Sequence, residues 1–399
     1  MNDIYSKIYS YTESIPVINT HSHHREDDYY SNFDLRAVIE SSYVSLCGLS
    51  LDDTAESRQS FLEKVKYKSY FVWLEKALQR IYNFTEPISV NNWDEISSKI
   101  KHDYSNKNNH LDILMHHCKY EKTILDASWK TGSTNNHPDF FVPTFRINMF
   151  LFGYDRQVLD HNGCNPLTIY NIETGDIDEY ISNVRRVIIQ KKNEGCVALK
   201  SALAYDRGLD FVETSKEKAQ EIFDRPIDTL ADENIKAFGD YVFFEICKIA
   251  AELDLPLQCH TGLGILKKSN AMQMREVIEK NPHTKFVLFH GSYPWLEDIY
   301  ALSHNYGNVY PDLCWLPIIS STAAKRMIEE LIDVCTADKV CWGCDTATSD
   351  ESLGALLAVR HVLSETLSRK VKEGYMTIDG AKEVAYNILY KNAKQLYKL

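Results

Sequence analysis

The run Val17-Ile18-Asn19-Thr20 closes on His21-Ser22-His23-His24. Side chains alternate along a strand, so His21 and His23 project to one side, where two imidazole nitrogens can converge on one cation; His24 points elsewhere. Alone, an H-x-H is a weak signal, because a merely polar strand end looks the same. Three further apolar runs close on a ligand-type residue: Leu255-Pro256-Leu257-Gln258-Cys259-His260, Phe286-Val287-Leu288-Phe289-His290 and Val340-Cys341-Trp342-Gly343-Cys344-Asp345. A single histidine after such a run is more often a hydrogen-bonded core residue than a ligand. Four such ends in one chain outweigh that reading, and imidazole with carboxylate suits zinc, and also iron or manganese.

These ends meet only if a fold gathers them. Short apolar runs alternate with longer amphipathic segments, the signature of repeated βα units on a parallel sheet. Strand candidates lie at 15–20, 123–127, 142–150, 196–200, 255–259, 285–289, 308–312 and 339–343, which is the barrel number of eight. Segments 271–280, 295–306, 323–335 and 353–369 carry apolar residues at three- and four-residue spacing and read as outer helices. In a barrel the C-terminal strand ends share one rim, which brings His21, His23, His260, His290 and Asp345 together. The gap between the first two strand candidates is far longer than one crossover helix needs. Residues 27–121 therefore read as a helical insertion, with aromatic-rich helical patterns at 61–81 and 93–100, roofing one end of the barrel. A second excursion, 201–230, follows the fourth strand, and both excursions are expected to shape the substrate pocket. The predicted fold is α/β: one distorted (β/α)8 TIM barrel over residues 1–399 with the insertion inside it.

On the motifs His21-Ser22-His23, His260, His290 and Trp342-Gly343-Cys344-Asp345 the chain resembles the amidohydrolase superfamily, and the insertion after strand one resembles its uronate isomerase and amidohydrolase-2 branches. The resemblance implies a divalent metal on His21, His23, His260 and Asp345, Zn2+ first, with Mn2+ or Fe2+ as alternatives. It implies that Asp345 also accepts a proton, and that His290 either binds a second metal or polarises the substrate. Lys200 ends strand four, where binuclear members carry a carboxylated lysine bridging two metals. Unmodified, it would bind a substrate carboxylate or act in proton transfer, the reading favoured because this branch is commonly mononuclear; a lysine reaching solvent is the plain alternative. Arg207, Arg146 and Arg25 are candidate carboxylate clamps. Arg207 serves equally well as an ion-pair partner of Asp206, and Arg25 as a cover of the rim. Asp312 and Trp315 face the same rim, Trp315 as a pocket wall. His102, His110, His116 and His117 lie in the insertion without an obvious acid partner and read as surface or packing histidines.

The implied reaction is hydrolysis of an amide, lactone or ester bond in a small, acidic metabolite through metal-activated water, with Asp345 taking the proton. Decarboxylation and uronate isomerisation use the same rim chemistry. Isomerases of that type carry an arginine shortly after the aspartate, where this chain has Thr346-Ala347-Thr348. A catalytically silent metal-binding ligand sensor is the reading of another class, and it is disfavoured because every expected ligand position is filled.

Composition narrows the partners. The 399 residues are 44% hydrophobic, enough for a large core, and 44 Lys and Arg against 56 Asp and Glu give a net charge of -12. That charge repels phosphate backbones and anionic lipid, so nucleic acid and membrane are not expected partners; a small-molecule substrate is, and a homo-oligomer is left open. No run of eighteen apolar residues occurs and residues 1–14 are polar, so a cytoplasmic location is expected. The ten cysteines are scattered and read as reduced core residues. Cys341-Trp342-Gly343-Cys344 has C-x-x-C spacing but ends a strand candidate, whereas a redox thiol normally starts a helix.

Overall fold

Seven parallel strands follow one another in chain order around a curled sheet: β1 (Val17–Ser22), β2 (Tyr120–Leu125), β3 (Phe141–Arg146), β4 (Ala198–Ser201), β5 (Leu257–Cys259), β6 (Phe286–Leu288) and β7 (Val309–Pro311). The computed structural model describes residues 3–173 and 175–399. The eighth strand expected at 339–343 is instead an extended segment with a single bridge, Asp312 to Cys341. It still closes the ring. Leu313 N donates to Cys341 O at 2.9 Å on the β7 side, and Thr20 N to Trp342 O at 3.3 Å and Asp345 N to His21 O at 2.9 Å on the β1 side. The seam is tight at Gly343, where a Cβ would stand 2.7 Å from both His21 N and Thr20 Oγ1. Asp345 then takes φ 61°, an irregular turn in the segment, beyond which His23 N still donates to Thr346 O at 2.9 Å.

Alternate strand residues fill the barrel, as a period of two requires. Ile18, Ile124, Ala198, Val287 and Cys341 pack against Tyr390, Ala393, Leu396 and Tyr397 from the last helical turns of the chain. Those turns sit under the strand starts: Asn392 Nδ2 donates to Ala337 O and Val340 O at 2.9 Å each, and Lys398 pairs with Asp254 at 2.5 Å. The floor is thereby plugged, and the strand ends form the open rim.

Between β1 and β2 run the helices Leu35–Glu40, Ala55–Val65, Ser69–Tyr82 and Trp93–Asp103 with several short turns. They bury a hydrophobic cluster of their own, built on Phe61, Leu74, Leu78, Trp93 and Ile100. Ser69–Tyr82 lies along the long helix Ser349–Lys372, close enough that a Cβ on Gly354 would stand 2.8 Å from Trp73 O. Buried Asp350 fastens the contact by accepting from Tyr82 Oη at 2.8 Å and from Tyr104 Oη.

The outer helices expected at 295–306, 323–335 and 353–369 are Leu296–Asn305, Ser321–Val334 and Ser349–Lys372, while 271–280 splits into a 3₁₀ turn, Ala271–Met274, and the helix Arg275–Lys280. The excursion after β4 holds the helix Lys216–Asp224. No helix among the described residues is long and apolar enough to cross a membrane. All ten cysteines are unpaired, and burial pushes the thiols of Cys341 and Cys344 up, which removes the thiolate that redox chemistry would need.

Candidate metal centre

His21 and His23 reach the rim from alternate positions of β1, and both present Nε2 to the same oxygen: Asp345 Oδ1 lies 3.3 Å from His21 and 3.2 Å from His23. His21 and Asp345 are buried. Three rim residues take positive φ to aim inward: His290 at 66°, Trp315 at 63° and Asp345 at 61°. Each such residue costs on the order of 1–3 kcal/mol and persists only where the surroundings over-determine it, as at ligand sites.

A second group sits beside the first. His260 Nδ1 and His290 Nε2 face each other at 2.9 Å, and His290 Nδ1 lies 3.9 Å from Asp345 Oδ2. The four residues expected to share one ion are thus arranged as His21, His23 and Asp345 on one side and His260 with His290 on the other.

The outer nitrogens decide what the facing ones carry. His290 Nδ1 lies 2.9 Å from Cys314 O, His260 Nε2 2.6 Å from Leu263 O, and His23 Nδ1 2.9 Å from Asp126 O. A carbonyl only accepts, so each of these ring nitrogens holds the proton. In a neutral ring the inward nitrogen then carries a lone pair. Burial pushes His260 and His21 well below the ordinary histidine range and His290 down to about 4, so the rings are neutral at pH 7. Lone pairs that face one another and a carboxylate in a buried site lack a positive partner, and a divalent cation supplies one. Ligands at about 2.0–2.1 Å around a tetrahedral ion stand roughly 3.3 Å apart, which the His21, His23 and Asp345 spacings match. Backbone carbonyls that fix the far nitrogen are also how metal-binding histidines are normally oriented. The donor set fits a metal.

Lys200 enters from β4. It is 2% exposed, its Nζ lies 4.0 Å over the Phe289 ring, and that Nζ has no hydrogen-bond partner among the described residues. Burial lowers its pKa, against the opposing pull of Asp126 and Asp345. The lysine therefore points into the barrel, and the solvent-reaching alternative is set aside. Trp315 stacks with Tyr43 at 4.7 Å and meets His290 edge-on at 5.4 Å, as a pocket wall should. Asp312 lies below the rim, accepting from Thr20 Oγ1 at 2.7 Å, with burial pushing it up to about 6. His24 is buried away from the site, its Nε2 3.1 Å from Ser352 Oγ.

The arginines distribute differently from expectation. Arg146 is committed to Asp126, through Nη2 and through Nε at 3.2 Å, and to Asn162 Oδ1 at 3.1 Å, so its fork is already filled. Arg207 pairs not with Asp206 but with Asp240 on the helix Asp232–Glu252, at 2.7 Å, in a cleft whose lining includes none of the rim histidines. Arg25 lies 3.6 Å over the Trp129 ring, the rim-covering role of its two readings. His110 is not a partnerless packing residue: its Nε2 lies 2.8 Å from Asp27 Oδ1.

Several site residues had been passed over. Asp126, just past β2, places Oδ2 3.8 Å from His21 Nε2; burial pushes it up, but the Arg146 charge and hydrogen bond together with His23 and His21 outweigh that and hold it below the usual carboxylate range. It ends an apolar run just as His260 and His290 do, so the signal was present. Tyr43, from the insertion, donates its hydroxyl to Asp345 Oδ2 at 3.1 Å, and its N–H donates to Glu351 Oε1 at 2.7 Å. Tyr205 packs its ring 4.4 Å from that of His260. A cavity of about 210 Å³ opens between His23, Ser42, Tyr43, Leu46, Asp345 and Glu351.

Known proteins resemble this chain to different extents. Residues 210–399 match the amidohydrolase family model. Protein fluG of Emericella nidulans is 28% identical over 221 residues, 51% of this chain and 26% of that protein, so the match spans about a quarter of the curated relative's length. The uronate isomerase of Thermotoga maritima superposes with a TM-score of 0.78 at 18% identity, covering 100% of this chain and 98% of that one. The glucuronate isomerase of Caulobacter crescentus gives 0.77 at 16%, covering 99% and 94%. A protein of Lactobacillus casei described as a metal-dependent hydrolase gives 0.72 at 15%, covering 98% and 97%. At these identities the likeness to solved structures is one of fold.

Proposed function

We propose that the chain is an amidohydrolase, the family whose model its residues 210–399 match, and a metal-dependent hydrolase cleaving an amide, lactone or ester bond in a small acidic metabolite. The observation that carries the reading is the set of inward ring nitrogens of His23, His260 and His290, oriented by carbonyls behind them and gathered with Asp345 at one rim. A divalent cation held by His21, His23, His260 and Asp345 would lower the pKa of water and polarise a carbonyl.

The chain's own groups supply the rest. Asp345 accepts the proton that water gives up and returns it to the leaving nitrogen or oxygen, while Tyr43, already hydrogen-bonded to Oδ2, holds that carboxylate in one orientation. His290, whose inward Nε2 carries a lone pair beside His260, would accept a hydrogen bond from the water or the substrate. Lys200, unpaired inside the barrel, offers its ammonium to an anionic substrate group, and that is the support for an acidic substrate. The insertion and Trp315 close the mouth and limit water.

The test is turnover of protein loaded with zinc or manganese against lactones, N-acyl compounds, carboxylic esters, aromatic acids and uronates. Hydrolysis of an acidic lactone, ester or N-acyl acid is expected. Release of carbon dioxide from an aromatic acid, or aldose-to-ketose conversion of a uronate, with no hydrolysis, overturns the proposal in favour of that reaction. Binding without any turnover makes the protein a sensor.

A further inference from the structure

Outside the rim, a second set of metal-type donors converges where three separate segments meet. Asp27 follows β1, His110 belongs to the insertion, and His137 lies in the connection between β2 and β3. His110 Nε2 lies 2.8 Å from Asp27 Oδ1, and His137 Nε2 lies 2.9 Å from the same oxygen and 3.1 Å from Oδ2. Ligand atoms from all three fall within 4.8 Å of one another. We propose that Asp27, His110 and His137 form a second, structural site for a divalent cation of the zinc type, independent of the rim.

Two imidazoles and one carboxylate are a borderline-soft donor set that suits Zn2+. Around a tetrahedral ion the donors would stand roughly 3.3 Å apart, so the cluster need open by only about half an ångström to admit one. The protonation states suit it as well. Burial depresses His110, which is therefore neutral at pH 7; Asp27 is held below the ordinary carboxylate range, the two histidine contacts outweighing its partial burial. A metal needs that neutral imidazole and ionised carboxylate.

Access and rigidity complete the geometry. His110 is wholly buried, its ring stacked on Tyr30 at 4.5 Å, and its Nδ1 has no hydrogen-bond partner among the described residues. Asp27 only accepts, so without an ion Nε2 donates to it; because Nδ1 has no partner among the described residues, the proton can move there and free the Nε2 lone pair for a cation. The Asp27 and His137 side chains are 29% and 28% exposed, which leaves a path for the ion and room for a water as fourth ligand. An ion there would staple the insertion to the two loops that flank the rim.

The experiment measures zinc on the full chain by elemental analysis and native mass spectrometry after metal stripping and re-addition of zinc alone. Wild type is expected to take up zinc at both the rim and this site. A His21→Ala/His23→Ala variant, stripped of the rim's β1 ligands, should keep one tightly held zinc. Adding His137→Ala should remove it, weakening affinity by more than the ~10–100-fold that mere hydrogen-bond partners of metal ligands are worth. Asp27→Asn, which preserves shape, should do the same, and circular dichroism confirms that each variant is folded. Cobalt in place of zinc should give a visible absorption band in the double variant that His137→Ala abolishes. The proposal is overturned if the double variant holds no zinc at micromolar free metal, or if its zinc survives both His137→Ala and Asp27→Asn.

Discussion

Asp345 serves two partners with two oxygens: Oδ1 faces His21 and His23, and Oδ2 receives the Tyr43 hydroxyl. Under the proposed hydrolysis, replacing it by asparagine would keep an oxygen for coordination but remove the proton acceptor. In Asp345→Asn at matched metal occupancy, the turnover number should fall about a hundred- to ten-thousand-fold, with a smaller change in KM. Near-normal turnover would move the proton to another group, His290 first. Glu351 makes a pH prediction. Burial pushes it up to about 8, so between pH 4.5 and 8 the unfolded chain has released a proton that the folded one retains. Its stabilising contribution is full below pH 4.5 and falls by about 1.4 kcal/mol per pH unit until pH 8. Glu351→Gln still accepts the Tyr43 N–H and should lose that slope; thermal melts of both proteins from pH 5 to 9 check it. The histidines and Asp345 were legible because each ends an apolar run, whereas Tyr43 was not, since nothing in a helical pattern some twenty residues beyond β1 says which ring returns to the rim.

Among the elements, the helix Ser349–Lys372 does most of the positioning, joining the barrel seam to the insertion through Gly354 and Asp350. Gly354→Ala would force Trp73 and its helix outward, and overpacking of this kind costs about 1–3 kcal/mol. The expected result is a lower Tm together with lower turnover, because Tyr43 and Tyr70 of the insertion stack on Trp315. A Tm drop with unchanged kcat would show that the stack does not depend on this helix contact. The regular outer helices showed in the sequence because one face is apolar. The helix Asp232–Glu252 stands out less in the sequence: Phe238, Val242, Phe243, Phe244, Ile246 and Cys247 are all buried, and only a narrow stripe through Glu245, Lys248 and Glu252 marks its period. The segment 339–343 takes the eighth place the sequence assigns it but as a single bridge rather than a regular strand, because the close approach at Gly343 and the turn at Asp345 are backbone events that composition does not reveal.

For the whole molecule, the metal and the fold should be coupled. Any ligand that binds only the folded state adds RT ln(1 + [L]/Kd), about 2.7 kcal/mol at a hundredfold excess over Kd, so chelation should lower the Tm and re-addition restore it. His23→Ala should abolish metal at the rim while the large core keeps the protein folded, read by elemental analysis beside a melt. An unchanged stoichiometry would mean that the rim is not the site. Barrel closure itself joins distant parts of the chain, since the backbone of His21 bonds to that of Asp345.

That seam sets a schedule for synthesis. At ~5–20 residues per second, on the order of 15–60 s separates the emergence of β1 from that of its last neighbour. Throughout that interval β1 and the newest strand are open edges of an apolar parallel sheet, the kind of surface that pairs with other chains. The insertion emerges early and buries its own cluster, so it can fold while the barrel waits. Barrel formation is then a late event held back by loop closure rather than by local structure, and a nascent chain stalled before the seam should depend on chaperones or aggregate.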